Sequence, residues 1–192
     1  AFGQGYSVTA MQATTVFATI ANNGVRVSPT VIAGTSDSSG NYTPTETRES
    51  VRVISPETAA QMRVMMESVV SANGTTPSAA IPGYRVAGKT GTAQRFDDTC
   101  GCYRGYTASF IGFAPADKPA YVISVTIQDP KGMHWGGYLG GPVFKKVMSF
   151  VLQSKGIAPT GTVVDPVPLT EKALFAERKL IADKKAASDK AN

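Results

Sequence analysis

The chemistry this chain can offer is concentrated in Gly88-Lys89-Thr90-Gly91-Thr92. Lys89 supplies a cation that would attract a carboxylate and favour proton loss from a nearby serine. Thr90 adds a hydroxyl donor. Gly91 has no side chain, so an extended substrate can lie close against the backbone there. The Thr92 N–H would then be free to point at a developing oxyanion, an interaction worth about 3–4 kcal/mol per donor in a comparable protease.

The same lysine also completes a literal phosphate-loop pattern, Gly83-Tyr84-Arg85-Val86-Ala87-Gly88-Lys89-Thr90. Val122 to Ile127 followed by Gln128-Asp129 even imitates a strand ending in a metal-binding acid. Three physical points weigh against a nucleotide site. Ser78-Ala79-Ala80-Ile81-Pro82 is a poor strand, Gly91-Thr92 a poor first helical turn, and residues 95–128 read as loop, strand, tight turn and strand. A parallel nucleotide sheet would need crossover helices instead.

The rest of the chemical inventory is thin. His134 is the sole histidine, and its place in a glycine-rich loop reads as solvent-exposed rather than as a general base. Cys100 and Cys102 flank Gly101 and leave three options: a bond across the glycine, two inert thiols, or pairing with cysteines elsewhere. Two cysteines and one distant histidine are too few for a structural zinc, so neither metal nor cofactor is expected. With 19 Lys and Arg against 14 Asp and Glu, the net charge is +5. The basic residues are scattered and form no aromatic-interleaved stripe, so no nucleic-acid partner is expected.

Apolar periodicity places the elements that must hold the lysine. Val8, Met11, Thr15, Val16, Thr19 and Ile20 predict a helix over 7–22, with Ser7 as its cap and Asn23-Gly24 as its stop. Short strands are expected at 25–27, 30–33 and 51–54, with a turn at 36–41. Ser55-Pro56-Glu57 opens a second helix, whose inward face would be Ala59, Met62, Met65, Met66, Val69 and Val70. Strands follow at 84–94, 107–114 and 121–128, the last two as an antiparallel hairpin. The loop carrying Asp97, Asp98, Tyr103, Arg104 and Tyr106 would overhang the cleft or simply be turn. Pro142 would open a final helix, turning Val143, Val147, Phe150 and Val151 inward. Residues 157–192 shift to proline-rich and then charged composition and read as a flexible tail, helical in part over 169–185.

Beyond Lys89-Thr90-Gly91, several segments together resemble the class B penicillin-binding proteins, especially those of cell division. They are Phe2-Gly3-Gln4-Gly5 with Val8-Thr9-Ala10-Met11-Gln12, Ala21-Asn22-Asn23-Gly24, and Gly74-Thr75-Thr76 with Ala79-Ala80. Ala108 to Pro115, Gly136-Gly137 and Pro142-Val143-Phe144 continue the match. The resemblance covers residues 2 to about 152. It implies a peptidoglycan D,D-transpeptidase, in which a serine attacks the penultimate D-alanine carbonyl and a neighbouring amine resolves the acyl-enzyme. β-Lactams would trap that serine. Position by position, Lys89, Thr90, Gly91 and Thr92 would bind substrate, with Lys89 and Thr92 also catalytic.

The departures from that pattern define what is missing. Ser-x-x-Lys occurs nowhere in the chain, and Ser39-Gly40-Asn41 and Ser71-Ala72-Asn73 fit Ser-x-Asn only by accident, since both follow the Phe-Gly-Gln-Gly segment. Ala1 opens without an initiator Met, and no apolar run approaches the ~20 residues of a membrane span. An upstream part of the same protein is therefore expected to supply Ser-x-x-Lys, Ser-x-Asn and the anchor, placing the enzyme on the extracytoplasmic face of the bacterial membrane with divisome proteins. The expected fold is α+β, an antiparallel sheet flanked by helices. Residues 1–156 would form the C-terminal part of a penicillin-binding transpeptidase domain. A non-catalytic β-lactam sensor or scaffold and the nucleotide-binding protein are the alternatives.

Overall fold

The computed structural model describes residues 7–46 and 50–161; Phe2 to Gly5 and the tail beyond 161 lie outside the described residues. Helix α1 spans Ala10–Ala21. Thr9, not Ser7, caps it, because Thr9-x-x-Gln12 closes a capping box: Gln12 N–H donates to Thr9 Oγ1 and Thr9 N–H to Gln12 Oε1. The helix stops where expected, with Asn23 and Gly24 both at positive φ (51° and 84°). A Cβ on Gly24 would strike the Ile54 carbonyl, so glycine is required there for closeness as well as for conformation.

The short strands pair locally. Val25–Arg26 (β1) lies antiparallel to Val51–Arg52 (β4), and Gly34–Ser36 (β2) to Tyr42–Pro44 (β3) around the expected turn. Residues 30–33 are not a strand, contrary to expectation. Thr30 turns its hydroxyl onto the Ile32 backbone, an alternative to ladder bonding, and Val31 and Ile32 stay exposed.

Helix α2, Pro56–Ser68, starts at its Ser55 cap, with Pro56 and Glu57 in the first turn. Ala59, Met66 and Val70 are buried as expected, but Met65 is exposed and the charged Glu67 is buried. Glu67 is tolerated because Arg85 grips it bidentately, Nε to Oε2 at 2.8 Å and Nη2 to Oε1 at 2.7 Å. That pair ties the end of α2 to the chain entering the main sheet.

The main sheet has order β5-β6-β7, formed by Ala87–Asp97, Cys102–Ala114 and Tyr121–Gln128. All pairings are antiparallel. Strand β5 begins later than expected because Gly83 and Tyr84 belong to a turn, and β5 and β6 run further, so the anticipated 95–106 loop is mostly hairpin. Asp97 ends β5, Tyr103, Arg104 and Tyr106 lie on β6, and only residues 98–101 turn. At that tip Cys100 and Cys102 are disulfide-bonded, which closes the question their spacing left open.

Helix α3, Gly136–Ser154, covers one sheet face. Its start six residues before Pro142, and its inward face, both differ from expectation. Phe144, Met148 and Leu152 are fully buried, whereas Val143, Val147 and Phe150 are exposed. The reason is the preceding glycines: Gly137, Gly140 and Gly141 lie so close to Thr76, Phe110 and Ser78 that a Cβ would collide. That contact selects the face, and it continues at helical spacing through 144, 148 and 152. Phe110 and Phe144 meet edge-on at 5.0 Å in the core on this side. On the opposite face, Ala87 and Phe113 pack with Met66, Phe17 and Ile20 from the first two helices. The result is a helix–sheet–helix α+β arrangement around the strand that carries Lys89.

Candidate active site

Strand β5 is an edge strand: among the described residues it pairs with β6 alone. Lys89, Thr90, Gly91 and Thr92 are consecutive on it, opposite Ile111, Phe110, Ser109 and Ala108. Alternation along the strand splits them between the sheet's faces. Thr90 and Thr92 point towards α3, the Thr90 methyl lying where a Gly137 side chain would go. Lys89 and Gly91 share the opposite face with Ser109, whose Oγ occupies the space that a Cβ on Gly91 would need. The glycine therefore leaves room for the Ser109 hydroxyl across the ladder and keeps this stretch of the strand bare.

Lys89 is exposed, its Nζ donating to the Thr90 carbonyl at 3.1 Å and to Thr90 Oγ1 at 3.3 Å. Lysine after the strand's buried start is thus held as a cation at the edge, not at the head of a helix. Lys89 is followed by the rest of β5 rather than by the first turn of a helix, and the sheet around it is antiparallel, so the phosphate-loop reading fails.

The amino terminus of α3 abuts this strand. The Gly136 N–H donates to Thr92 Oγ1 at 3.0 Å, and a Cβ on Gly136 would overlap the carbonyls of Gly91 and Ser109. Two consequences follow. The Thr92 hydroxyl has its acceptor side occupied, so its proton is left to donate outward. The helix also brings the positive end of its dipole to the Thr92 hydroxyl, which favours an anion there. Composition hinted at neither, because the contact joins residues 44 positions apart.

A rim of rings borders the same spot. His134 stacks on Tyr106 with centroids 4.0 Å apart and planes 12° apart, and tilts against Trp135 at 4.9 Å. His134 is therefore half-buried in a stack and not the free loop residue its context suggested. Trp135 and Tyr138 stay exposed beside it. The two Ser-x-Asn look-alikes serve their own turns: Asn41 bonds Asp37, and Ser71 Oγ donates to the Ser68 carbonyl.

Residues 1–149 match the family described as the penicillin binding protein transpeptidase domain. The chain belongs to that family. Penicillin-binding protein PbpB of Mycolicibacterium smegmatis is 43% identical over 165 residues, covering 81% of this chain and 26% of the relative. Stage V sporulation protein D of Bacillus subtilis is 39% identical over 162 residues, covering 83% of this chain and 25% of the relative. Penicillin binding protein 3 of Mycobacterium tuberculosis, solved with ampicillin, superposes with a TM-score of 0.80 at 36% identity, covering 88% of this chain and 39% of that one. The chain thus spans about a quarter of the length of these two curated relatives. As in that family, the fold here is α+β with an antiparallel sheet between helices.

Proposed function

We propose that this chain is the substrate-binding wall of a serine D,D-transpeptidase that cross-links peptidoglycan stems and is acylated by β-lactams. The observation that carries this reading is the exposed Lys89 on an edge strand, next to a Thr92 hydroxyl whose acceptor side is taken by the Gly136 N–H. A peptide ending in D-Ala-D-Ala would add to the free edge of β5 as an extra strand. Its carboxylate would take hydrogen bonds from Thr90 and Thr92 and sit in the field of Lys89 and the α3 terminus.

An upstream segment of the same protein, carrying Ser-x-x-Lys and Ser-x-Asn, would bring the nucleophile. The serine oxygen adds to the penultimate carbonyl, its proton passes to a base, and the Thr92 N–H receives the oxyanion. The amide bond breaks, D-alanine leaves with a proton, and an amine from a second stem displaces the serine. Two observations support an upstream partner segment: the chain is a quarter of its relatives' length, and an apolar groove of about 1160 Å³ lies along α1 between Val8, Met11, Val16 and Met62. No helix among the described residues is long and apolar enough to cross a membrane; an anchor to the extracytoplasmic face and contacts with divisome proteins belong to this proposal for the whole protein.

The test is covalent labelling of the intact protein by a fluorescent penicillin. Wild-type protein should label stoichiometrically and Lys89→Ala should not. Undiminished labelling of Lys89→Ala would remove the lysine from the mechanism.

A further inference from the structure

The far end of the same strand opens into a second, very different cavity. It measures about 680 Å³ and is lined by Arg95, Asp97, Asp98, Arg104, Asp129 and Lys131, together with Phe96 and Thr99. Its charged residues comprise three cations and three anions, and two of each are already paired. Arg104 bridges Asp97 at 2.6 Å, and Lys131 bridges Asp129 at 2.6 Å. The side chains of Arg95 and Asp98 form no ion pair or hydrogen bond among the described residues. Arg95 feels Asp129 only through space, without a direct ion pair, so its guanidinium donors and the Asp98 carboxylate remain open to a ligand.

The backbone is shaped to build this cavity. Arg95 sits at the irregularity between Gln94 and Phe96 where the β5–β6 register shifts, which re-aims its side chain. Asp129 adopts a left-handed conformation (φ 48°), and Gly105, itself at φ 75°, has no Cβ where the Asp129 carboxylate lies. Non-glycine residues seldom take that conformation without a structural demand.

Register connects the cavity to the edge. Ala87 and Gly88 are buried, so the open stretch of β5 begins at Lys89 and runs towards Asp97. A peptide whose terminal carboxylate lies at Thr90 and Thr92 can therefore extend only in that direction. At about 3.3 Å per residue, the amino acid two positions before its terminus falls about 7 Å further on, level with Gln94. Arg95, which lines the cavity, is the next residue along the strand.

Resting on the transpeptidase reading, we propose that this cavity selects the third residue of the donor stem. It takes a diamino acid whose side chain ends in both an ammonium and a carboxylate, the carboxylate on Arg95 and the ammonium on Asp98. A stem with lysine at that position would satisfy only Asp98, and an aliphatic side chain neither.

The experiment uses the intact protein and three synthetic stems ending in X-D-Ala-D-Ala, where X is 2,6-diaminopimelic acid, lysine or norleucine. D-Alanine release gives kcat/KM for each, and penicillin acylation is measured alongside. Each exposed pair is expected to contribute about fivefold, so diaminopimelate should lead lysine and lysine should lead norleucine by that factor. Arg95→Gln should erase the first difference and Asp98→Asn the second, with penicillin acylation, which has no third residue, unchanged in both. Equal rates for the three stems, or preferences that survive both substitutions, would overturn the subsite alone. Failure of the unsubstituted protein to react with penicillin would instead overturn the reading beneath it.

Discussion

Gly136→Ala is the most direct probe of how the α3 terminus serves Thr92. Two effects oppose each other. Alanine is favoured over glycine inside a helix by up to about 1 kcal/mol, and less at a first position. Against that, the new Cβ would overlap the carbonyl oxygens of Gly91 and Ser109 and approach Ser109 N to 2.9 Å. These are backbone atoms of a paired ladder and cannot swing aside, so the helix must move by about 1 Å. Overpacking of this kind costs about 1–3 kcal/mol. The clash wins, but narrowly in stability. Function should suffer more, because a displacement of ~1 Å at a positioning contact can cost about 100-fold in rate. The expected outcome in the intact protein is a melting temperature lowered by only a few degrees with penicillin acylation slowed at least tenfold. Lys146→Ala, on the exposed side of the same helix, should change neither. Unchanged acylation in Gly136→Ala would refute the argument that this contact sets the site.

Other consequences are as specific. Phe144→Ala should destabilise by about 3–5 kcal/mol, since Phe144 is 0% exposed, while Phe150→Ala, 69% exposed, should change stability by less than about 0.5 kcal/mol; denaturant melts of the two variants decide which face of α3 is inward. Glu67→Ala breaks the buried bidentate pair with Arg85 and should cost about 3 kcal/mol, the lower end of the usual range because the Arg85 side chain keeps 19% exposure; a loss under about 1 kcal/mol would contradict the burial argument. Asp97 is held below the ordinary carboxylate value of 3.8, first by the Thr99 hydroxyl, then by the Thr99 N–H, with Arg104 adding to it. A depressed carboxylate stabilises the hairpin tip above the unfolded value and ceases to do so as pH falls through the folded one. The Thr99 resonances should therefore shift mainly below about pH 4, and by much less in Asp97→Asn. Titration of Asp97 at or above its ordinary value would contradict the hydrogen bonding described.

The local sequence was enough to place Lys89-Thr90-Gly91-Thr92 on an extended strand, to end α1 at Asn23-Gly24, to start α2 at Ser55-Pro56, and to pair β6 with β7. Each of these follows from neighbours within a few residues: caps, turn glycines and a connection too short to cross over. The strand character of Lys89 also told against a phosphate loop, which the literal pattern alone could not exclude. The tertiary structure decided what depends on contacts distant in sequence. Glycines 137, 140 and 141, poor helix formers, became helical because only they fit against Thr76, Phe110 and Ser78, and that moved the start of α3 and rotated its buried face onto Phe144, Met148 and Leu152. Glu67 went inside because Arg85 was waiting 18 residues away. The bond from Gly136 to Thr92, and the cavity that collects Arg95, Asp98 and Asp129, exist only once helix, hairpin and loop are packed, because periodicity reports which side of an element is apolar and nothing of what that side will meet.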